Sequence, residues 1–84
     1  MKAIWKFPFT INDYVRIPMP AGAHVLCVGI QDKVPCIWAL VEIEAEIANR
    51  IFRIYGTGHE CNEDRHNYIG TFQTGPFVWH MFDA

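Results

Sequence analysis

The apolar residues of this chain fall mostly on a two-residue beat. In residues 3–9, AIWKFPF, Trp5, Phe7 and Phe9 alternate with Ile4, Lys6 and Pro8. That is the period of a strand, whose successive side chains point to opposite faces. Pro8 has no N–H to give a ladder and so marks an edge or a strand end. Residues 14–18, YVRIP, set Val15 and Ile17 against Tyr14 and Arg16. The segment MPAGAH then reads as a turn, with Pro20 presetting its own φ and Gly22 permitting a positive one. Residues 24–30, HVLCVGI, and 34–43, VPCIWALVEI, are nearly continuous apolar runs rich in β-branched side chains. They are predicted to be central strands joined by Gln31, Asp32 and Lys33. Residues 50–56 alternate again, and 67–73 and 77–82 follow, divided by Thr74, Gly75 and Pro76.

This pattern predicts a mainly β chain folded as a single domain over residues 1–84. The architecture expected is a small β-sandwich or barrel of about seven short antiparallel strands. One segment competes with the two-residue beat. EIEAEIANRIF, residues 42–52, is rich in helix formers and repeats Ile43, Ile47 and Ile51 at a spacing of four. A short helical turn near residues 43–50 is therefore held open beside the strand reading.

Composition adds an expectation about partners. Apolar residues make up 51% of the 84 positions and aromatics 14%. So small a domain cannot hide that much apolar surface easily, which points to a homo-oligomer or a protein partner. Trp5, Phe7, Phe9, Trp38, Phe52, Tyr55, Phe72, Phe77, Trp79 and Phe82 are assigned mostly to the core, although regular strands must turn half of them outward. The net charge of −2 comes without any run of like charge, so direct nucleic-acid binding is not expected. Cys27, Cys36 and Cys61 are odd in number, and the first two lie in apolar strand-like runs. They read as buried free thiols in a reducing cytoplasm. The opening residues lack the long apolar region of a secretion signal, and no apolar stretch approaches the roughly twenty residues of a membrane span.

Candidate chemistry gathers in FRIYGTGHECNEDRHNY, residues 52–68. Serine is absent from the chain, which excludes serine nucleophiles. Cys61, flanked by His59 and His66 with Asp64 close by, has the atoms of a thiol nucleophile and its base, but on a polar loop rather than a rigid element. Neither a C-x-x-C nor an H-x-x-x-H spacing is present, so no metal and no cofactor are expected. YGTGH lacks the lysine of a phosphate-binding P-loop, yet a G-x-G can present N–H groups to an anion, with Arg53 and Tyr55 on the strand before it. The plainer reading is a glycine-rich hairpin exit. His24 and His80 read as hydrogen-bonded strand histidines. The candidate ligand- or partner-binding residues are Arg53 and Tyr55 on the strand, and Thr57, His59, Arg65 and His66 on a loop expected to be mobile. No residue is assigned a catalytic role, and the chain is expected not to be an enzyme.

The segments IWKFPF, MPAGAHVLCV, VPCIWALV, FRIYGTGH, YIGTFQ and FVWHMF together resemble a family of small, mostly uncharacterised β proteins encoded by bacteriophages and prophages. MPAGA and RIYGTGH are the most specific of these pieces. The resemblance implies a compact β protein in the host bacterial cytoplasm that inhibits a host defence component, such as a CRISPR effector, by stoichiometric binding. Two alternatives stay open: an oligomeric sponge that sequesters a small anionic signal such as a cyclic nucleotide, and a minor virion or assembly protein.

Overall fold

The computed structural model describes residues 1–84. Seven strands follow one another: β1 (Lys2–Pro8), β2 (Tyr14–Pro20), β3 (His24–Gln31), β4 (Val34–Glu42), β5 (Ile47–Gly56), β6 (Tyr68–Thr74) and β7 (Phe77–Asp83). Every pairing is antiparallel. They form a three-stranded sheet in the order β1-β4-β3 and a four-stranded sheet in the order β2-β5-β7-β6. The molecule is a sandwich of these two sheets, 17 Å across its thinnest direction, as two layers about 10 Å apart require.

The sheets meet where the two-residue beat is cleanest. Val15, Ile17 and Met19 of β2, Phe52 and Ile54 of β5, Phe72 of β6 and Met81 of β7 face Ile37, Ala39 and Val41 of β4. None of these side chains is more than 5% exposed. Among the ten aromatics assigned to the core above, only Phe52 and Phe72 are buried, while Phe7, Phe9 and Trp79 pack at its margin. The others lie on outer faces or edges, because two layers have only two inward faces between them.

Turn chemistry fits the hairpins. Asp32 and Lys33 both adopt positive φ, 50° and 67°, closing the two-residue β3–β4 loop in the hand that matches strand twist. Gly75, at φ 56°, does so at the start of the β6–β7 loop.

The segment that invited a helical turn is a tight turn over residues 43–46 followed directly by strand. The Ala45 N–H bonds to the Glu42 carbonyl at 3.0 Å, and Ile47, Ala48 and Asn49 pair with Pro20, Met19 and Pro18. A spacing of four is also twice the strand period, so Ile47 and Ile51 lie on one face of β5. The sole helical turn is a 3-10 turn at Arg65–Asn67, capped by the Asp64 side chain. Cys36 is buried as expected, but Cys27 is exposed. An irregularity between Val25 and Cys27 shifts the register there and places Cys27 opposite Trp38, on the outer face.

One polar clamp closes the end of the sandwich. Arg50 shares the inward face of β5 with Phe52 and donates to both carboxylate oxygens of Asp83, at 2.6 and 3.2 Å. Its third nitrogen donates to the Ala23 carbonyl at 2.8 Å, so one guanidinium ties β5, the end of β7 and the β2–β3 turn. Such a fork has no equivalent in lysine. Arg50→Ala should lower unfolding free energy by about 2 kcal/mol in urea titration, and Arg50→Lys should recover only part of that loss.

Candidate functional site

The outer face of the four-stranded sheet carries the side chains singled out in β5. Antiparallel register fixes their neighbours. Tyr14 pairs with Arg53, Arg53 with Phe82, and Phe82 with Tyr68, one row across all strands of the sheet. The next row runs from Tyr55 through His80 to Thr71. Phe52 and Ile54 point inward and are buried, so Arg53 and Tyr55 must point outward.

Arg53 is sandwiched between aromatic rings. Its guanidinium carbon lies 4.0 Å from the centre of the Tyr14 ring and 4.9 Å from that of Tyr55. Its Nε donates to the Asp13 carbonyl at 3.2 Å. Tyr55 and Tyr68 both meet Phe82 edge to face, with ring centres 5.8 and 5.5 Å apart. Cation–π and edge-to-face contacts of this kind fix side chains in place on an otherwise open surface.

The loop after β5 does not run free into solvent. It folds back over this face, where Glu63 accepts the Tyr55 hydroxyl at 2.8 Å and sits 3.8 Å from Arg53. Asp64 accepts the His66 backbone N–H at 2.9 Å and caps the 3-10 turn. Between loop and sheet lies a cleft of about 230 Å³ lined by Tyr55, His59, Cys61, His80 and Phe82. The His59 ring lies over Gly56, 2.9 Å from where a Cβ would stand, so a larger residue there would push that exposed ring aside.

His80 organises the second row. Its Nε2 is 2.7 Å from the Thr57 hydroxyl and its Nδ1 is 2.9 Å from that of Thr71, which in turn bonds to the Tyr68 hydroxyl. A neutral imidazole donates from one nitrogen and accepts at the other, and a hydroxyl can answer either role. His80 is thus a hydrogen-bonded strand histidine, and it stands at the centre of the exposed face.

The candidate residues therefore divide. Arg53, Tyr55, Thr57 and His59 converge on the sheet face and its cleft. His66 instead pairs with Asp64 and lines a separate groove with Arg50 and Asp83, while the Arg65 side chain makes no hydrogen bond or ion pair. The amides of YGTGH do not form an open anion cradle: Thr57 N–H bonds to the Val78 carbonyl and His59 N–H to the Gly56 carbonyl. Sequence reasoning missed Tyr14, Glu63, Tyr68 and Phe82. The alternation of FVWHMF already placed Phe82 in phase with His80, but only the register aligns that pair with Arg53 and Tyr55.

Two groups of this site have displaced acidities. Burial lifts the Tyr55 phenol above the ordinary tyrosine range, and its bond to the Glu63 carboxylate adds to that rise. The His66 backbone N–H, followed by its ring, holds Asp64 below the ordinary carboxylate range. The folded state thus favours neutral Tyr55, so its contribution is complete below the unfolded tyrosine value of about 10 and is lost as pH rises through the folded one. For Asp64 the direction is opposite: its contribution is present above about 4 and fades as pH falls through the folded value. In ultraviolet titration, the phenolate signal missing from Tyr55→Phe should appear above pH 10 or so, and Glu63→Gln should move it downward.

No helix of the structure is long and apolar enough to cross a membrane. No curated protein and no solved structure matches the chain. A family model described as Domain of unknown function (DUF7352) matches residues 1–84, and the chain belongs to that family.

Proposed function

We propose that this chain is a non-enzymatic binding domain that acts by occupying the surface of a partner protein with the outer face of its four-stranded sheet. The observation that carries this reading is the row Tyr14, Arg53, Phe82 and Tyr68, flanked by Tyr55 and His80. Tyrosine and arginine dominate the energetics of protein interfaces because each combines a large apolar body with directional polar groups. Here they are held by one another before any partner arrives, which reduces the ordering cost of association. The broad side of the molecule, 40 by 29 Å, exceeds the roughly 800 Å² per partner that a standard interface covers.

The resemblance to phage and prophage proteins makes a bacterial defence protein the partner class of this proposal, and the bacterial cytoplasm its place. Sequestration of a cyclic nucleotide fits the face less well. Glu63 sets a carboxylate between the Tyr55 hydroxyl and Arg53, where a phosphate would need those donors. A mixed face of aromatic rings, one arginine and one carboxylate suits a protein surface better than an anion.

Arg53→Ala combined with Tyr55→Phe should reduce recovery of the partner from bacterial lysate about tenfold or more. The variant should stay folded with its melting temperature lowered by about 5–10 °C, because the two cation–π contacts of half-buried Arg53, its bond to the Asp13 carbonyl and the Tyr55–Glu63 bond are together worth about 1–2 kcal/mol. Cys61→Ala should leave recovery unchanged. A nucleotide retained by the purified protein in native mass spectrometry, with no partner protein recovered, would overturn the reading.

A further inference from the structure

The sandwich has four edge strands, and they are not equally closed. β3 and β6 protect one another: they pack at one side of the sandwich, where Gly70 lies so close to Val28 that a Cβ would meet its Cγ1 at 2.9 Å. β2 is blocked differently. Ile54 N–H bonds to Asp13 O and Ala21 N–H to Glu46 O, and antiparallel bonding alternates. Residues 15, 17 and 19 therefore bond toward β5, while Tyr14, Arg16, Pro18 and Pro20 face the open side. Two of those four positions are prolines without an N–H, as edges that resist pairing often show.

β1 remains. Phe9 N–H bonds to Pro35 O and Ile43 N–H to Met1 O, so the same alternation gives Ala3, Trp5 and Phe7 to β4. Lys2, Ile4 and Lys6 direct their backbone N–H and C=O groups outward, with Pro8 ending the row. The side chains tell the same story. Trp5 faces the inter-sheet side, yet it is 36% exposed where core residues are at most 5%. Its indole N–H has no partner in the chain. Ile4, on the outer face, is 61% exposed. Three strands lie over four, and the missing place is beside β1.

We infer that the β1 edge is a strand-addition site for an extended, acidic segment of a partner protein, separate from the face proposed above. A second copy of this chain fits poorly. Antiparallel self-pairing centred on Ile4 sets Lys2 directly against Lys6 of the other copy, twice, and like charges opposite one another destabilise a ladder. Neither lysine makes a close ion pair in the chain: Lys2 lies across the ladder from Glu42, whose carboxylate is bonded by the Met1 ammonium, and Lys6 donates to Gln31 at 2.9 Å. The incoming strand would place carboxylates beside Lys2 and Lys6, an aliphatic side chain beside Ile4, and apolar groups over Trp5. Main-chain bonds would supply affinity and alternate side chains selectivity.

The test uses two capped heptapeptides, TEIVIET and TKIVIKT, with the full chain at low salt. Binding of the acidic peptide should blue-shift Trp5 fluorescence, as judged against Trp5→Phe, and slow exchange of the Ile4 and Lys6 amides. Ile4→Pro removes an outward N–H while leaving the bonds to β4 in place, and should weaken binding about tenfold or more. Lys2→Glu with Lys6→Glu keeps the backbone and should reverse the preference toward TKIVIKT by about fivefold. Equal binding of both peptides, or binding that survives both variants, would overturn the inference. So would a dimer in sedimentation that Ile4→Pro dissolves, since the occupant would then be a second copy.

Discussion

A strand residue can aim its side chain at only one face and its backbone groups at only one edge. In a chain this short, that constraint decides nearly everything. Two sheets have two inward faces, which Ile37, Ala39, Val41, Phe52, Ile54 and Met81 fill almost without exposure. Every alternate residue is then forced outward, whatever its chemistry. The outward positions of β5 and β7 hold Arg53, Tyr55, His80 and Phe82, and those of β1 and β4 hold Ile4, Trp38 and Leu40. Aromatic surface follows from the layer count and does not signal a poorly formed core.

Polar groups work at the seams of this arrangement rather than inside it. No buried side-chain nitrogen or oxygen lacks a partner, as a low-dielectric interior demands. Arg50 and Asp83 close one end, half-buried and joined by two bonds. Arg53 and Glu63 are related differently: 3.8 Å apart, they share Tyr55 more than they pair directly. The first arrangement fixes the ends of strands, whereas the second fixes a surface.

Much of the fold was legible because the two-residue beat is a local signal. The beat marks β1, β2, β5, β6 and β7, continuous apolar runs mark β3 and β4, and turn-forming residues mark the loops at Gly22, Asp32 and Gly75. What escaped had non-local causes. Ile43, Ile47 and Ile51 fit both periods, and only pairing with β2 decides between them. The fold-back of the loop was hidden because Glu63 is one acid among several, and its role depends on a tyrosine eight positions away. Tyr14 joins the site through a partner nearly forty positions distant. Register carries that information, and the sequence does not print register.

The strand order also bears on how the domain is made. β1 pairs only with β4, and β2 only with β5, so neither amino-terminal strand has a neighbour until the middle of the chain exists. β5 in turn needs β7, whose Asp83 receives Arg50. During synthesis, a half-finished chain holds the three-stranded sheet with its inward face bare and no opposing layer to cover it. Topologies dominated by such distant pairings form slowly, on the order of milliseconds to seconds. The completion of β7 thus determines when β1 and β2 become safe from aggregation.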